Sequence, residues 1–181
     1  FAYTGGAMVD LGTLGGDQSW STGVSADGRV VIGNSYLAGN NNSHAFAYTN
    51  GVMTDLGTLG GTYSSVTSIS ADGTVIIGSS STVANNYNHA FVYAGGVMTD
   101  LGTLGGNSSY ANAISADGSV VVGNSTLAGD NSNHAFIYAG GAMTDVSLLL
   151  LSAFPTLDYS DFFGVSAYGS VSAGYGHDAI G

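Results

Sequence analysis

Four histidines, His44, His89, His134 and His177, are the only imidazoles in the chain, and the first three each open one motif, HAFAY, HAFVY or HAFIY. Imidazole is a common general base and metal ligand, so these residues are the first candidates for chemistry. Their recurrence argues against it, because a catalytic group is ordinarily unique. Histidines spaced one per repeat would also have to converge to about 2.1 Å from one ion to bind it. The expected role is structural, with each ring hydrogen-bonded to backbone where a polar loop meets a strand.

Two sets of aspartates recur with the histidines. Asp10, Asp55, Asp100 and Asp145 each follow a methionine by two residues, and Asp27, Asp72 and Asp117 sit in the tetrapeptide SADG. The SADG set suits turns, and the other set is placed to accept backbone N–H bonds near strand ends. Calcium is the metal that such oxygens, with Asn40 to Asn42 or Asp130 to Asn133, would suit. No Asp-x-Asp-x-Asp-Gly loop supports it, so solvated loops are expected and no cofactor or metal is assigned. No Gly-x-Ser-x-Gly elbow accompanies the many serines. The Gly-Gly pairs lack the GK[ST] of a phosphate loop, and there is no glutamate for a glycosidase pair. The chain reads as a non-enzyme. Trp20, Tyr36, Tyr63, Tyr87 and Tyr110 fall in or beside polar segments, where exposed rings would stack on a sugar or fill gaps between repeats.

The elements that position these residues come from a repeat. The HAF motifs begin at 44, 89 and 134, and methionines stand at 8, 53, 98 and 143, a constant step of 45 residues. LGTLGG recurs at 11–16, 56–61 and 101–106, and SADG at 25–28, 70–73 and 115–118, each followed by an apolar run ending in glycine. The predicted units are 17–61, 62–106 and 107–161, with partial units at 1–16 and 162–181. Each full unit reads as four short strands in two hairpins, one turning at Asp-Gly and one at a pair such as Gly95-Gly96. Asp-Gly is expected as a two-residue turn with both residues at positive φ. Phe91, Tyr93, Met98 and Leu101 give the second hairpin an apolar face.

Four antiparallel strands in about 45 residues is the arithmetic of a β-propeller blade. The fold class is therefore all-β, a propeller-like array of four such units. A β-solenoid is the alternative, although hairpins imply antiparallel pairing.

The ends depart from the pattern. Residues 1–11 are placed to complete a blade begun by 162–175. The segment His177-Asp178-Ala179-Ile180 resembles the start of another HAF strand and competes with Phe1-Ala2-Tyr3 for that place, so either set could pair with a second molecule. Between Met143 and Ser166 the spacing grows to 23 residues from 17 in the other units. A short helix or apolar turn is expected from Ser147 to Ala153, stopped by Pro155, as a plug or cap or as an exposed patch for a partner.

Composition bounds the partners. Only 7% of the 181 residues are charged, Arg29 is the single Lys or Arg, and the net charge is −11. Nucleic-acid phosphates and anionic lipids both require clustered cations. The absence of cysteine removes disulfides and thiolate chemistry. No apolar run approaches the ~18 residues of a membrane span, and an exported form would start at or near Phe1 after loss of a signal segment.

In HAFxY, MxDLGTLGG and SADGxVVxG, occurring in fixed order over nearly the whole chain, the sequence resembles the HAF repeat family of bacterial extracellular proteins. The resemblance implies an extracellular or cell-surface location and repeat character, and supplies no catalytic residue. Tyr168 in place of the turn aspartate and HDAI in place of HAF are departures at the last unit. The expected function is a structural or assembly protein that self-associates, for instance as a surface-layer or filament subunit. The alternative is a module binding glycan or a surface protein.

Overall fold

The computed structural model describes residues 1–83, 87–129, 132–146, 157–167, 169–170 and 172–178. Three four-stranded antiparallel sheets follow one another. The first holds β3 (Gly15–Val24), β4 (Val30–Leu37), β5 (Ser43–Thr49) and β6 (Val52–Asp55). The second holds β7 (Gly60–Ile69), β8 (Val75–Thr82), β9 (Asn88–Ala94) and β10 (Val97–Asp100). The third holds β11 (Gly105–Ile114), β12 (Val120–Leu127), β13 (Asn133–Ala139) and β14 (Ala142–Asp145). Two-stranded sheets flank them: β1 (Ala2–Thr4) with β2 (Ala7–Val9), and β15 (Leu157–Val165) with β16 (Ser172–Asp178). Each four-stranded sheet opens at the first glycine of the Gly-Gly pair in LGTLGG, Gly15, Gly60 or Gly105, so that pair begins a strand instead of closing the preceding unit.

All paired strands are antiparallel, and the parallel contacts are isolated bridges such as Leu59↔Thr82. A solenoid of parallel rungs is thereby excluded. The array is all-β and propeller-like.

Strand sequences explain the sheets. Runs of β-branched residues, Val30 to Ile32, Val75 to Ile77 and Val120 to Val122, form the second strand of each sheet. The glycine that follows each run faces the HAF phenylalanine across the ladder, Gly33↔Phe46, Gly78↔Phe91 and Gly123↔Phe136. A Cβ on Gly78 would run into the Ser65 carbonyl and sit 2.9 Å from the Phe91 ring. The rings of Phe46, Phe91 and Phe136 thus lie over bare backbone and are almost wholly buried.

The apolar clusters lie between sheets. Ile32, Ala45 and Leu56 of the first sheet's unit pack with Val66, Ile76 and Phe91 of the second. Ile77, Ala90 and Leu101 pack with Ala111, Ile114 and Val121 of the third. Val122, Ala135 and Val146 form the next cluster, with Val165 against it. One sheet alone leaves both faces wet; stacking copies buries them.

The turns differ from expectation in one respect. Positive φ is confined to the glycine of each SADG (Gly28 at 74°, Gly73 at 77°, Gly118 at 75°), and the preceding aspartates are not in that region. The turn spans six residues instead of two: Gly28 N donates to Ser25 O, and Ser25 N to Val30 O, both at 2.9 Å. The serine accounts for the motif, since Ser25 Oγ donates to Asp27 Oδ1 at 2.7 Å and accepts the Val30 N–H at 3.0 Å. Two-residue turns with both φ positive occur in the other hairpin, at Asn50-Gly51, Gly95-Gly96 and Gly140-Gly141.

The ends are also corrected. Among the described residues β1 pairs with β2 and β15 with β16, and the two hairpins do not join into one sheet. His177 and Asp178 belong to β16, opposite Asp158 and Leu157. They continue a second strand and do not start a third. Aligned on the SADG turn, His177 matches Tyr36, not His44, which is why its likeness to HAF misleads. Ala179, Ile180, Tyr168 and the segment from Ser147 through Pro155 lie outside the described residues.

Candidate functional site

Each HAF histidine is the half-buried second residue of the third strand of its sheet, two residues before the phenylalanine that pairs with the last residue of the fourth strand, as in Phe46↔Asp55 and Phe91↔Asp100. His44 Nδ1 lies 2.9 Å from Asp55, His89 Nδ1 2.8 Å from Asp100 and His134 Nδ1 3.1 Å from Asp145. The carboxylate is therefore the histidine's partner, correcting the expected backbone acceptor. The second half of the expectation holds: Asp10, Asp55 and Asp100 accept the N–H groups of Gly12, Gly57 and Gly102 at 2.7 to 2.9 Å. One carboxylate thus ties the ring of one strand to the loop leaving the next.

A serine stands across the ladder from each of these histidines, as in Ser35↔His44 and Ser80↔His89. The set looks like a catalytic triad on paper, but its hydroxyl is committed elsewhere. Ser80 Oγ is wholly buried, accepts the Leu59 N–H at 2.8 Å and donates toward the Tyr63 carbonyl at 3.1 Å. Ser35 does the same with Leu14 at 2.8 Å. A nucleophile must reach both base and substrate, and these hydroxyls reach neither. Sequence reading overlooked them because serine in a strand carries no signal of which backbone group it serves.

The SADG aspartates are held ionised by local bonds. Asp27 is lowered below the usual carboxylate range, first by the Arg29 N–H and then by the Ser25 hydroxyl. Asp72 and Asp117 are lowered first by Ser70 and Ser115 hydroxyls, then by the Thr74 and Ser119 N–H groups. Arg29 adds a solvent-exposed contact to Asp27 at 3.5 Å. Among the described residues, no group of three or more His, Asp, Glu or Cys could hold a metal ion. Asp130 and Asn131, half of one calcium candidate, lie outside the described residues. Asn40, in the other, is bonded to Asp17, its Nδ2 donating at 2.6 Å.

The aromatic residues separate into different places. Trp20 on β3 and Tyr36 on β4 meet edge to face, with ring centroids 5.7 Å apart and planes at 67°. Trp20 is 43% exposed and borders an open hollow of about 830 Å³ with Asp10, Asp17, Gln18 and Phe1. Tyr87 precedes β9 and lines a second hollow, about 490 Å³, against Gly105, Ser108 and Thr126 of the next unit. Tyr63 and Tyr110 are exposed on first strands, β7 and β11, not in loops. Tyr110 holds the place of Trp20 two units on, where the middle unit has Ser65.

A third hollow, about 630 Å³, lies between the β1–β2 hairpin and the first sheet, lined by Phe1, Tyr3, Val24, Gly28, Val31 and Tyr48 among others. Phe1 and Tyr3 are 73% and 71% exposed. Ala2 lies within β1, paired with Val9.

Neither a family model nor a curated protein matches the sequence. Solved structures do. The chain is similar to a putative TolB from Agrobacterium tumefaciens, with TM-score 0.54 and 16% identity over 71% of this chain and 49% of that one. It is also similar to TolB from Acinetobacter baumannii, with TM-score 0.51 and 18% identity over 74% of this chain and 33% of that one. The likeness is one of fold. It places the three stacked sheets with the β-propeller domain of those proteins, and the chain spans about half or less of their length. Among the described residues, no helix is long and apolar enough to cross a membrane.

Proposed function

We propose that this chain is a non-catalytic extracellular structural protein that associates with copies of itself, as a surface-layer or filament subunit does. The observation that carries this reading is how the units pack: the apolar clusters lie between successive four-stranded sheets, so the faces of this repeat are built to lie against copies of themselves. Low charge supports it, since 7% charged residues with one cation leave few ions to desolvate on close packing. The commitment of every strand serine described above to backbone speaks against a nucleophile. The surface location rests on the resemblance to HAF repeats and on the cysteine-free composition. Electron microscopy of the purified chain is expected to show ordered fibres or sheets; dispersed single particles at every concentration would count against the reading.

A second reading is favoured by one observation. Trp20, braced by Tyr36 beside Asp10, Asp17 and Gln18, is an aromatic platform with hydrogen-bonding groups at its rim, the pattern that suits a sugar ring. Binding on a glycan array, abolished by Trp20→Ala, is the outcome that would support this module instead.

A further inference from the structure

Where the second unit meets the third, Tyr87, just ahead of β9, borders the hollow of about 490 Å³ together with the start of β11 and the end of β12. That volume falls in the range of small-molecule sites, about 300–1,000 Å³. Both walls belong to interior units.

The backbone around the hollow is fully engaged, and the side chains are not. Thr82 N–H donates to Tyr87 O at 3.0 Å, which fixes the residue that carries the ring. The Asn107 and Ser108 N–H groups donate to Thr126 Oγ1 at 2.9 and 3.1 Å, and Ser108 O accepts from Ser125 Oγ at 3.1 Å. Among the described residues, the Asn107 amide, the Ser108 hydroxyl and the Tyr87 hydroxyl make no hydrogen bond. The floor is bare, because a Cβ on Gly106 would run into Thr126. Tyr87 is 42% exposed above it.

The other units fill the corresponding places differently. In the first unit the counterpart of Asn107 is Asp17, whose carboxylate accepts from Asn40 Nδ2 at 2.6 Å. In the second the counterpart of Ser108 is the bulky Tyr63, and Asn42 stands where the third unit is preceded by Tyr87. The second-to-third junction instead sets an exposed ring beside small polar groups with nothing bonded to them.

We infer that this hollow binds a neutral saccharide, whose ring stacks on Tyr87 while its hydroxyls bond Asn107 and Ser108. A tyrosine face suits the C–H face of a sugar ring, and an amide and a hydroxyl each offer both donors and acceptors to its hydroxyls. None of the lining residues is charged, and the chain carries −11 with a single Lys or Arg. An anionic sugar would therefore find no counter-charge here. The inference takes its ligand class from the glycan-binding reading, but its site shares no lining residue with the Trp20 hollow.

Isothermal titration calorimetry tests it, with maltotriose, cellotriose, xylotriose and triacetylchitotriose as neutral probes and trigalacturonic acid as the anionic comparison. The variants are borrowed from the repeat itself, so each suits the fold. Ser108→Tyr puts in the residue of the second unit and fills the hollow. Tyr87→Asn puts in the counterpart Asn42, whose carbonyl accepts the Leu37 N–H at 3.0 Å just as that of Tyr87 accepts from Thr82. At least one neutral trisaccharide is expected to bind, with affinity about tenfold weaker in each variant and unchanged in Trp20→Ala. Full affinity in either Ser108→Tyr or Tyr87→Asn overturns this site. So does the absence of binding by every neutral probe, or trigalacturonic acid bound as tightly as they are. Affinity that falls in Trp20→Ala overturns it too, while leaving the Trp20 platform standing as the glycan site.

Discussion

Val31 and Ile76 hold the same place in successive units, yet Ile76 is 4% exposed and Val31 is half-buried. The same contrast separates Ala26 from Ala71 and Gly28 from Gly73, in each case exposed in the first sheet and half-buried in the second. Strand order and register within the two sheets are alike. What differs is the neighbour: the second sheet has a four-stranded sheet on each side, and the first has a short hairpin on one. A repeat therefore builds its own sheet from local pairing, and the burial of that sheet's faces comes from the copies beside it.

Paired substitutions break or sharpen this comparison. The largest difference is expected for Ile76→Ala, which opens a cavity between two sheets and should cost ~2–5 kcal/mol. Val31→Ala, at the open face, should cost only about 1 kcal/mol in the monomer. Denaturant unfolding of both variants measures the gap, and equal costs would mean that the first sheet is covered after all. Gly33→Ala and Gly78→Ala form the control. Each puts a methyl into a phenylalanine and a carbonyl of its own sheet, so the two should lose similar amounts, ~1–3 kcal/mol or more.

Ser64 and Ser19 sharpen the contrast at the level of one hydroxyl. Ser64 Oγ accepts the buried Ala45 N–H at 3.0 Å and donates to Gly57 O at 2.6 Å, while among the described residues Ser19 Oγ shows only the bond to Gly12 O at 2.6 Å. Ser64→Ala strands a buried donor and should cost ~1–3 kcal/mol; Ser19→Ala should cost about 1 kcal/mol or less. The histidine pairs are expected to matter least to stability. Asp100 is 40% exposed, so His89→Gln should lower stability by only ~0.2–1 kcal/mol, read by thermal unfolding.

Acid should act on the two sheets alike. Asp27 and Asp72 are both lowered in the fold from an ordinary value of 3.8. Their bonds therefore add stability that is present above pH 3.8 and lost as pH falls through the lowered folded values. Asp72→Asn should flatten that acid dependence, and Asp27→Asn should flatten it as much. A difference between them in a pH series of unfolding midpoints would mean that the turns sense their neighbours.

Much of this was legible in the residues. The 45-residue step, the Gly-Gly turns and the alternation in HAFVY predict antiparallel hairpins because local backbone demands and side-chain period act over a few residues. The Asp-Gly turn was half legible. Aspartate and glycine mark a bend, but the serine two residues earlier decides its shape through a hydroxyl that bonds both the carboxylate and the chain beyond. The histidine partners were not legible as pairs. His89 and Asp100 were each flagged, but their meeting depends on the β9–β10 register, which pairs Asp100 with Phe91 and so leaves its carboxylate within reach of His89 two residues along β9.

The sequence by itself determined the unit: strand count, the places where the chain bends, and the scarcity of charge. Those follow from each residue's own conformational range and hydration. Which faces are buried and which hydroxyls are spent on backbone were decided only by the stacking of sheets. Such contacts join residues some 45 positions apart, and identical repeats cannot tell from their own letters which copy has a neighbour.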